Sequence, residues 1–250
     1  MAPARRRAST LLGLLALRAN TPVSTDWIID ALWAGRPPRS AAVNLRSYVA
    51  DVRRVLADPA GPRVESGRGS YRLAVRPDEL DLLVFEALAE EGRRHLAAGR
   101  HELAAERLTR AYGLWRGQVL EGLPLPDGAR PAVQAIQDRQ VDVIEDCVEA
   151  RLALGQHAQL AAELRTLTGQ HELRERLWGQ LMLALYRCER QGEAIEAYRR
   201  LYRLLHDDLG VEPSRQLQEL HLRILRVDPG LGLAPAGPVP RQLPPEGGLF

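Results

Sequence analysis

The chain of 250 residues contains no lysine: all 34 basic residues are arginine. Arginine content follows genomic base composition as well as chemistry, so the count alone identifies no partner. Cysteine is scarce. Cys147 and Cys188 are the only two, and both fall inside helical patterns as small core or near-core residues, which suits a reducing cytoplasm. No stretch approaches ~18 uninterrupted apolar residues, so no membrane-spanning helix is expected. Arg5-Arg6-Arg7 followed by Leu11 to Leu17 imitates a signal peptide, but Arg18, Asn20 and the polar and aromatic pattern after them give no cleavage site.

Catalytic patterns are missing too. The histidines, His95, His101, His157, His171, His206 and His221, form no His-Glu-x-x-His pair and have no close cysteine partner. Glu90-Glu91 and His206-Asp207-Asp208 sit in charged helical contexts that read as solvated surface. No nucleophile turn and no Gly-x-x-x-x-Gly-Lys-Ser/Thr phosphate loop occurs. The expectation is a protein that is not an enzyme and carries no cofactor and no metal.

What is present is a basic head on an acidic body. Residues 1–77 hold 13 arginines against 5 acidic residues, whereas residues 78–230 hold 20 against 26, so the net +2 hides the asymmetry. Such a head favours a polyanionic partner, either nucleic acid or an anionic membrane surface. A hydrophobic fraction of 45% can fill real cores, and the length suits two domains better than one.

Three helices are expected within the first sixty residues. The first runs from Arg7 to Arg18 on Leu11, Leu14, Leu15 and Leu17; the second spans Asp26 to Leu32, capped by Ser24 or Thr25 and ended by Gly35-Arg36-Pro37-Pro38. The third runs from Ser40 to about Ala57, before Asp58-Pro59-Ala60-Gly61-Pro62. Leu45, Val49, Val52 and Leu56 form its apolar stripe, and Val43, Ser47, Ala50 and Arg54 lie opposite, flanked by Arg46 and Arg53 and by Asn44 and Asp51. A helix with small and arginine side chains outward can enter a major groove; the same face can equally be solvated surface. Arg63 to Ser66 and Tyr71 to Val75 then alternate at strand period around the turn Gly67-Arg68-Gly69-Ser70, with Tyr71, Leu73 and Val75 inward and Arg72 outward. Gly67-x-Gly69 is a poor dinucleotide fingerprint, because no helix follows it. Helix, helix, long helix and basic hairpin is the order of a winged helix.

Trp27 to Trp33, the Pro37-Pro38 and Ser40 entry to the third helix, Leu45-x-x-Tyr48-Val49-x-x-Val52-Arg53-Arg54-x-Leu56 and Tyr71-Arg72-Leu73 resemble an OmpR-type winged helix. More closely, they resemble the Streptomyces antibiotic regulatory protein family of AfsR/DnrI-type activators. Helix facing and hairpin alternation make Arg39, Asn44, Arg46, Ser47, Arg53 and Arg54 of the helix region and Arg68 and Arg72 of the wing the candidate DNA contacts. Asp51 departs from the family's basic run, and Ser70 replaces a glycine before the wing tyrosine. The family also carries a small antiparallel sheet before the first helix. This chain starts almost at that helix, so the Tyr71 hairpin is expected to lack its usual sheet neighbours, as in a short form or a fragment.

From Asp81 the pattern is helical nearly without interruption, in segments Leu82 to Ala98, His101 to Trp115, Ala132 to Leu154, Ala158 to His171, Glu175 to Cys188, Glu193 to Leu209 and Ser214 to Val227. Trp178, Leu181, Ala194, Tyr198 and Leu201 approximate a tetratricopeptide repeat, with Met182 where a small residue is usual; a plain helical bundle is the alternative. Trp115 and Trp178 suit a ligand pocket or, more simply, core packing. The body also resembles the family's bacterial transcriptional activation domain, through His171-Glu172-Leu173-x-Glu175-x-Leu177-Trp178 and Leu209-Gly210-Val211-Glu212-Pro213-Ser214.

The expected architecture is mainly α: a winged helix-turn-helix in 1–77, a tetratricopeptide-like all-helical domain in 78–228, and a flexible Pro/Gly-rich tail in 229–250. The resemblance implies a cytoplasmic, nucleoid-associated activator that binds direct repeats in double-stranded promoter DNA, self-associates there, recruits RNA polymerase holoenzyme and controls secondary metabolism. The competing expectation is a protein-interaction module that does not bind DNA.

Overall fold

The computed structural model describes residues 3–59, 61–124 and 126–232. The chain divides into two compact units, Met1–Cys147 and Val148–Phe250. The first contains helices α1 (Pro3–Ala16), α2 (Thr25–Trp33), α3 (Ala41–Val55), α4 (Asp81–Ala97) and α5 (His101–Tyr112), with strands β1 (Val23–Ser24), β2 (Val64–Gly67) and β3 (Ser70–Leu73). Helix α6 (Arg130–Ala153) begins in it and ends in the second unit.

The first helix starts and ends a few residues earlier than its leucine pattern suggests, and after it the chain turns at Asn20, a left-handed residue with φ 63°. Asn20 donates its backbone N–H to the Leu73 carbonyl at 2.9 Å, and its side chain exchanges two bonds with the backbone of Val75, at 3.0 and 3.1 Å. Asparagine suits this place, since a short amide side chain tolerates the left-handed region and bonds backbone at once. The turn delivers Val23 and Ser24 to the edge of the hairpin, where they pair antiparallel with Tyr71 and Ser70. The sheet order is β1-β3-β2. Strand β3 is therefore paired on both sides, by β2 and by β1, which follows α1; a two-residue strand is too short to announce itself by periodicity.

Alternation in β3 and the 3.6-residue stripe of α3 converge on one core. Leu11, Leu15, Val23, Ile28, Trp33, Leu45, Tyr48, Val49, Val52, Val64 and Leu73 are buried together, with Leu56, Tyr71 and Val75 packed partly against them. Each large apolar side chain so buried stabilises the head by roughly 1.5–3 kcal/mol before conformational entropy is deducted. Trp33 stacks on Tyr48 with ring centroids 6.1 Å apart, fixing α2 on α3 as a small helix-turn-helix.

Helices α4 and α5 form the next pair. A Cβ placed on Gly92 would meet Leu108 Cγ at 2.5 Å, so the two helices approach where only a glycine fits.

The second unit contains α7 (His157–Gln170), α8 (Glu175–Arg187), α9 (Gln191–Leu209), α10 (Arg215–Leu225) and a 3-10 turn at Pro229–Leu231. Helix α8 packs on α7 and α9, and α10 packs on α8 and α9. Trp178, Leu181, Ala194 and Leu201, expected at the packing positions of a repeat, are buried, as is Met182. Tyr198 is half-buried and stacked on the His221 ring at 3.9 Å. Of the expected tail, Pro229–Leu231 forms the 3-10 turn with Leu231 buried, and residues 233–250 lie outside the described residues.

Candidate nucleic-acid interface

The outward face of α3 follows directly from burial of the other side. With Ala41, Leu45, Tyr48, Val49 and Val52 inside, Val43, Arg46, Ser47, Ala50 and Arg54 are left exposed. Arg39 is exposed in the turn before the helix, and Asn44 donates its side-chain amide to Ser40 Oγ at 3.1 Å in the first turn. The result is a helix face with little bulk between its arginines.

Arg53 does something different from its neighbours. Its Nε donates to the Val64 carbonyl at 2.8 Å and its Nη2 to Ser66 Oγ at 2.8 Å. One guanidinium thus ties the last turns of α3 to strand β2, and a planar fork of donors is suited to hold both partners at once. Arg54 donates to Asp51 Oδ1 at 3.0 Å along the helix. The acidic residue that departs from the basic run is therefore neutralised locally, at the cost of part of Arg54's positive field.

The wing turn is Arg68-Gly69, between the paired residues Gly67 and Ser70. Gly69 has φ 68°, a left-handed conformation open to glycine without steric cost. The Gly69 carbonyl accepts the backbone N–H of Thr25 at 2.8 Å, so the start of α2 holds the wing tip from behind. Arg68 is exposed at the tip. Arg72, on the outer side of β3, pairs across the hairpin with Glu65 through Nε at 2.8 Å. Among the described residues Arg39, Arg46 and Arg68 have no carboxylate partner.

Behind the wing, Arg63 bonds Glu79 through Nη1 at 2.7 Å and pairs with Asp58, while the Arg76 backbone N–H donates to Glu79 at 2.7 Å. The Arg76 N–H and the Arg63 guanidinium hold the Glu79 carboxyl below the ordinary carboxylate range. This cluster clasps the strand exit against the segment entering α4.

The face thus joins the arginines of α3 to the wing, with Arg53 as the link between them. Sequence reasoning had no sign of Ser66 and Thr25 as holders of the wing, because their partners are distant backbone and side-chain groups. The described residues contain no group of three or more metal-ligating side chains, and no helix among them is long and apolar enough to cross a membrane.

Residues 80–225 match the family model described as the bacterial transcriptional activator domain. Over 237 residues the chain is 38% identical to the regulatory protein DnrI of Streptomyces peucetius, covering 92% of this chain and 87% of that protein. It is 40% identical over 221 residues to the regulatory protein AfsR of Streptomyces coelicolor, covering 88% of this chain and 22% of AfsR. A solved structure of Mycobacterium tuberculosis EmbR in complex with a low-affinity phosphopeptide superposes with a TM-score of 0.86 at 35% identity, over 91% of this chain and 61% of that one. The chain therefore spans most of DnrI but only part of EmbR and AfsR.

Proposed function

The chain belongs to the Streptomyces antibiotic regulatory protein family of transcriptional regulators, and from that premise we propose that residues 1–77 bind promoter DNA while residues 78–228 make the protein contacts of activation. The observation that carries this reading is the α3 face, where Arg46, Ser47 and Ala50 stand exposed beside a wing whose tip is Arg68. Arginine can read guanine in the major groove, and the short Ser47 and Ala50 side chains let the backbone approach the bases. Arg39 and Arg68 have the exposure expected of phosphate contacts, which add affinity without sequence preference. Arg72 and Arg54, each already paired with a carboxylate, contribute less, and Asn44 lies on the flank of the face.

Within this reading the protein is a regulator and not an enzyme. It engages direct repeats as self-associating copies, recruits RNA polymerase holoenzyme at the nucleoid, and serves a pathway of secondary metabolism. The acidic body supports a division of labour, since residues 78–230 carry 26 acidic residues against 20 arginines and are ill suited to DNA.

The direct test is footprinting of the full chain on genomic promoter fragments with excess competitor DNA. Protection of two segments that repeat one sequence in the same orientation on one helical face supports the reading. Protection without sequence preference, or none, overturns it.

A further inference from the structure

Exposed apolar side chains are ordinary on a protein surface when they stand singly. Val43 does not stand on an ordinary surface. It is 64% exposed in the first turn of α3, on the face assigned above to DNA. At about 100° per residue, Ser47, Ala50 and Arg54 lie within about 40° of it and Arg46 within about 60°, so Val43 is at the centre of that face and not at its edge. Val55, the other exposed valine of the helix, falls about 120° away, off the face.

Nothing in the fold requires a valine there. The core side of α3 is filled by Leu45, Tyr48, Val49 and Val52, and Val43 is not part of the cluster they form. A β-branched residue is also a weaker helix former than alanine or leucine. Its surroundings leave it open to a partner: Ser47 and Ala50 are short, and Asn44 is folded back onto Ser40 Oγ at 3.1 Å. The first turn of α3 holds no acidic residue, although acidic side chains favour that end of a helix, so a polyanion approaching it meets no like charge.

Recognition helices of helix-turn-helix proteins contact base edges through their N-terminal residues. An apolar side chain in the major groove has one apolar group to meet there, the C5-methyl of thymine. We propose that Val43 is a specificity-determining residue that packs its methyl groups on the C5-methyl of a promoter thymine. With α3 lying along the groove, it rises about 4.5 Å from Val43 to Arg46 against about 3.4 Å per base pair, which sets that thymine about one or two base pairs from the base that Arg46 reads. The assignment rests on the function proposed above and adds to it a base that arginine, a reader of guanine, does not select.

The test uses the full chain and a footprinted promoter fragment in which thymines are replaced one at a time by deoxyuridine, which keeps the base pair and removes only the methyl. Affinity is measured at fixed salt. At one thymine of each repeat the unaltered chain is expected to bind the uracil form roughly two- to fivefold more weakly, as burial of one methyl supplies. Val43→Ala is expected to lose the same factor on the thymine form and to bind the two forms equally. Its unfolding midpoint is expected to be no lower than that of the unaltered chain, since the side chain is exposed, and its salt slope the same, since no phosphate contact is lost. Indifference to uracil at every thymine, or uracil penalties that all persist in Val43→Ala, overturns the assignment while specific binding itself stands. A chain that protects no promoter segment overturns the assignment together with the function it rests on.

Discussion

At the scale of single residues, arginines that look alike in the sequence have separate jobs. Arg46 presents its charge outward, whereas Arg53 uses its guanidinium to hold the wing. Arg46→Ala is expected to cost about 1–3 kcal/mol on the preferred site and to relax selectivity, with the unfolding midpoint unmoved. Arg53→Ala is expected to destabilise the head by about 1–3 kcal/mol, since it removes two charge-assisted bonds. It also weakens DNA binding with little change in salt dependence. Paired denaturant unfolding and DNA titration of each variant check this. His157 offers a second test at this scale. It is 6% exposed, neither ring nitrogen has a hydrogen-bond partner among the described residues, and burial, with Arg187 nearby, pushes its pKa below the ordinary histidine value. A lowered pKa in the fold means the unfolded chain binds the proton more readily. The stability His157 confers is complete above the unfolded pKa of about 6.5 and is lost as pH falls towards the folded value. His157→Gln is expected to flatten the fall in stability as pH drops below about 6.5, by up to about 1.4 kcal/mol per pH unit, in urea unfolding series at each pH.

At the scale of elements, the helices were legible because their apolar periodicity is strong, and the α3 stripe of Leu45, Val49 and Val52 lies inside as the spacing requires. The inward Leu73 and outward Arg72 of the wing followed from alternation. What was not legible depended on interactions between residues far apart in the chain. Two residues of β1 carry too little pattern to declare a strand, and the bonds from Arg53 to Val64 and Ser66 exist only once helix and hairpin have folded. The exposed face of α3 could be anticipated, but the diversion of Arg53 from it could not. Gly92 illustrates the same limit: in sequence it is a weak spot in a helix, in the fold it is where α4 meets Leu108. Gly92→Ala improves helix propensity yet is expected to destabilise the α4–α5 pair by about 1–3 kcal/mol through overpacking. A rise in the unfolding midpoint of that variant would show that the two helices do not pack this closely.

At the scale of the whole molecule, the central claim is that the basic head carries the DNA affinity of a chain whose net charge is only +2. Arg39, Arg46 and Arg68, exposed on α3, its entry turn and the wing and without carboxylate partners among the described residues, should account for much of that affinity. The most direct measurement is titration of a footprinted promoter fragment with the full chain and with the combined Arg39→Ala, Arg46→Ala and Arg68→Ala variant across a series of salt concentrations. The logarithmic salt slope is expected to become shallower by roughly two units, about 0.9 for each of the phosphates that Arg39 and Arg68 no longer neutralise, and preference for the promoter over competitor DNA is expected to fall with the loss of Arg46. An unchanged slope and an unchanged preference in a variant with the original unfolding midpoint would contradict it.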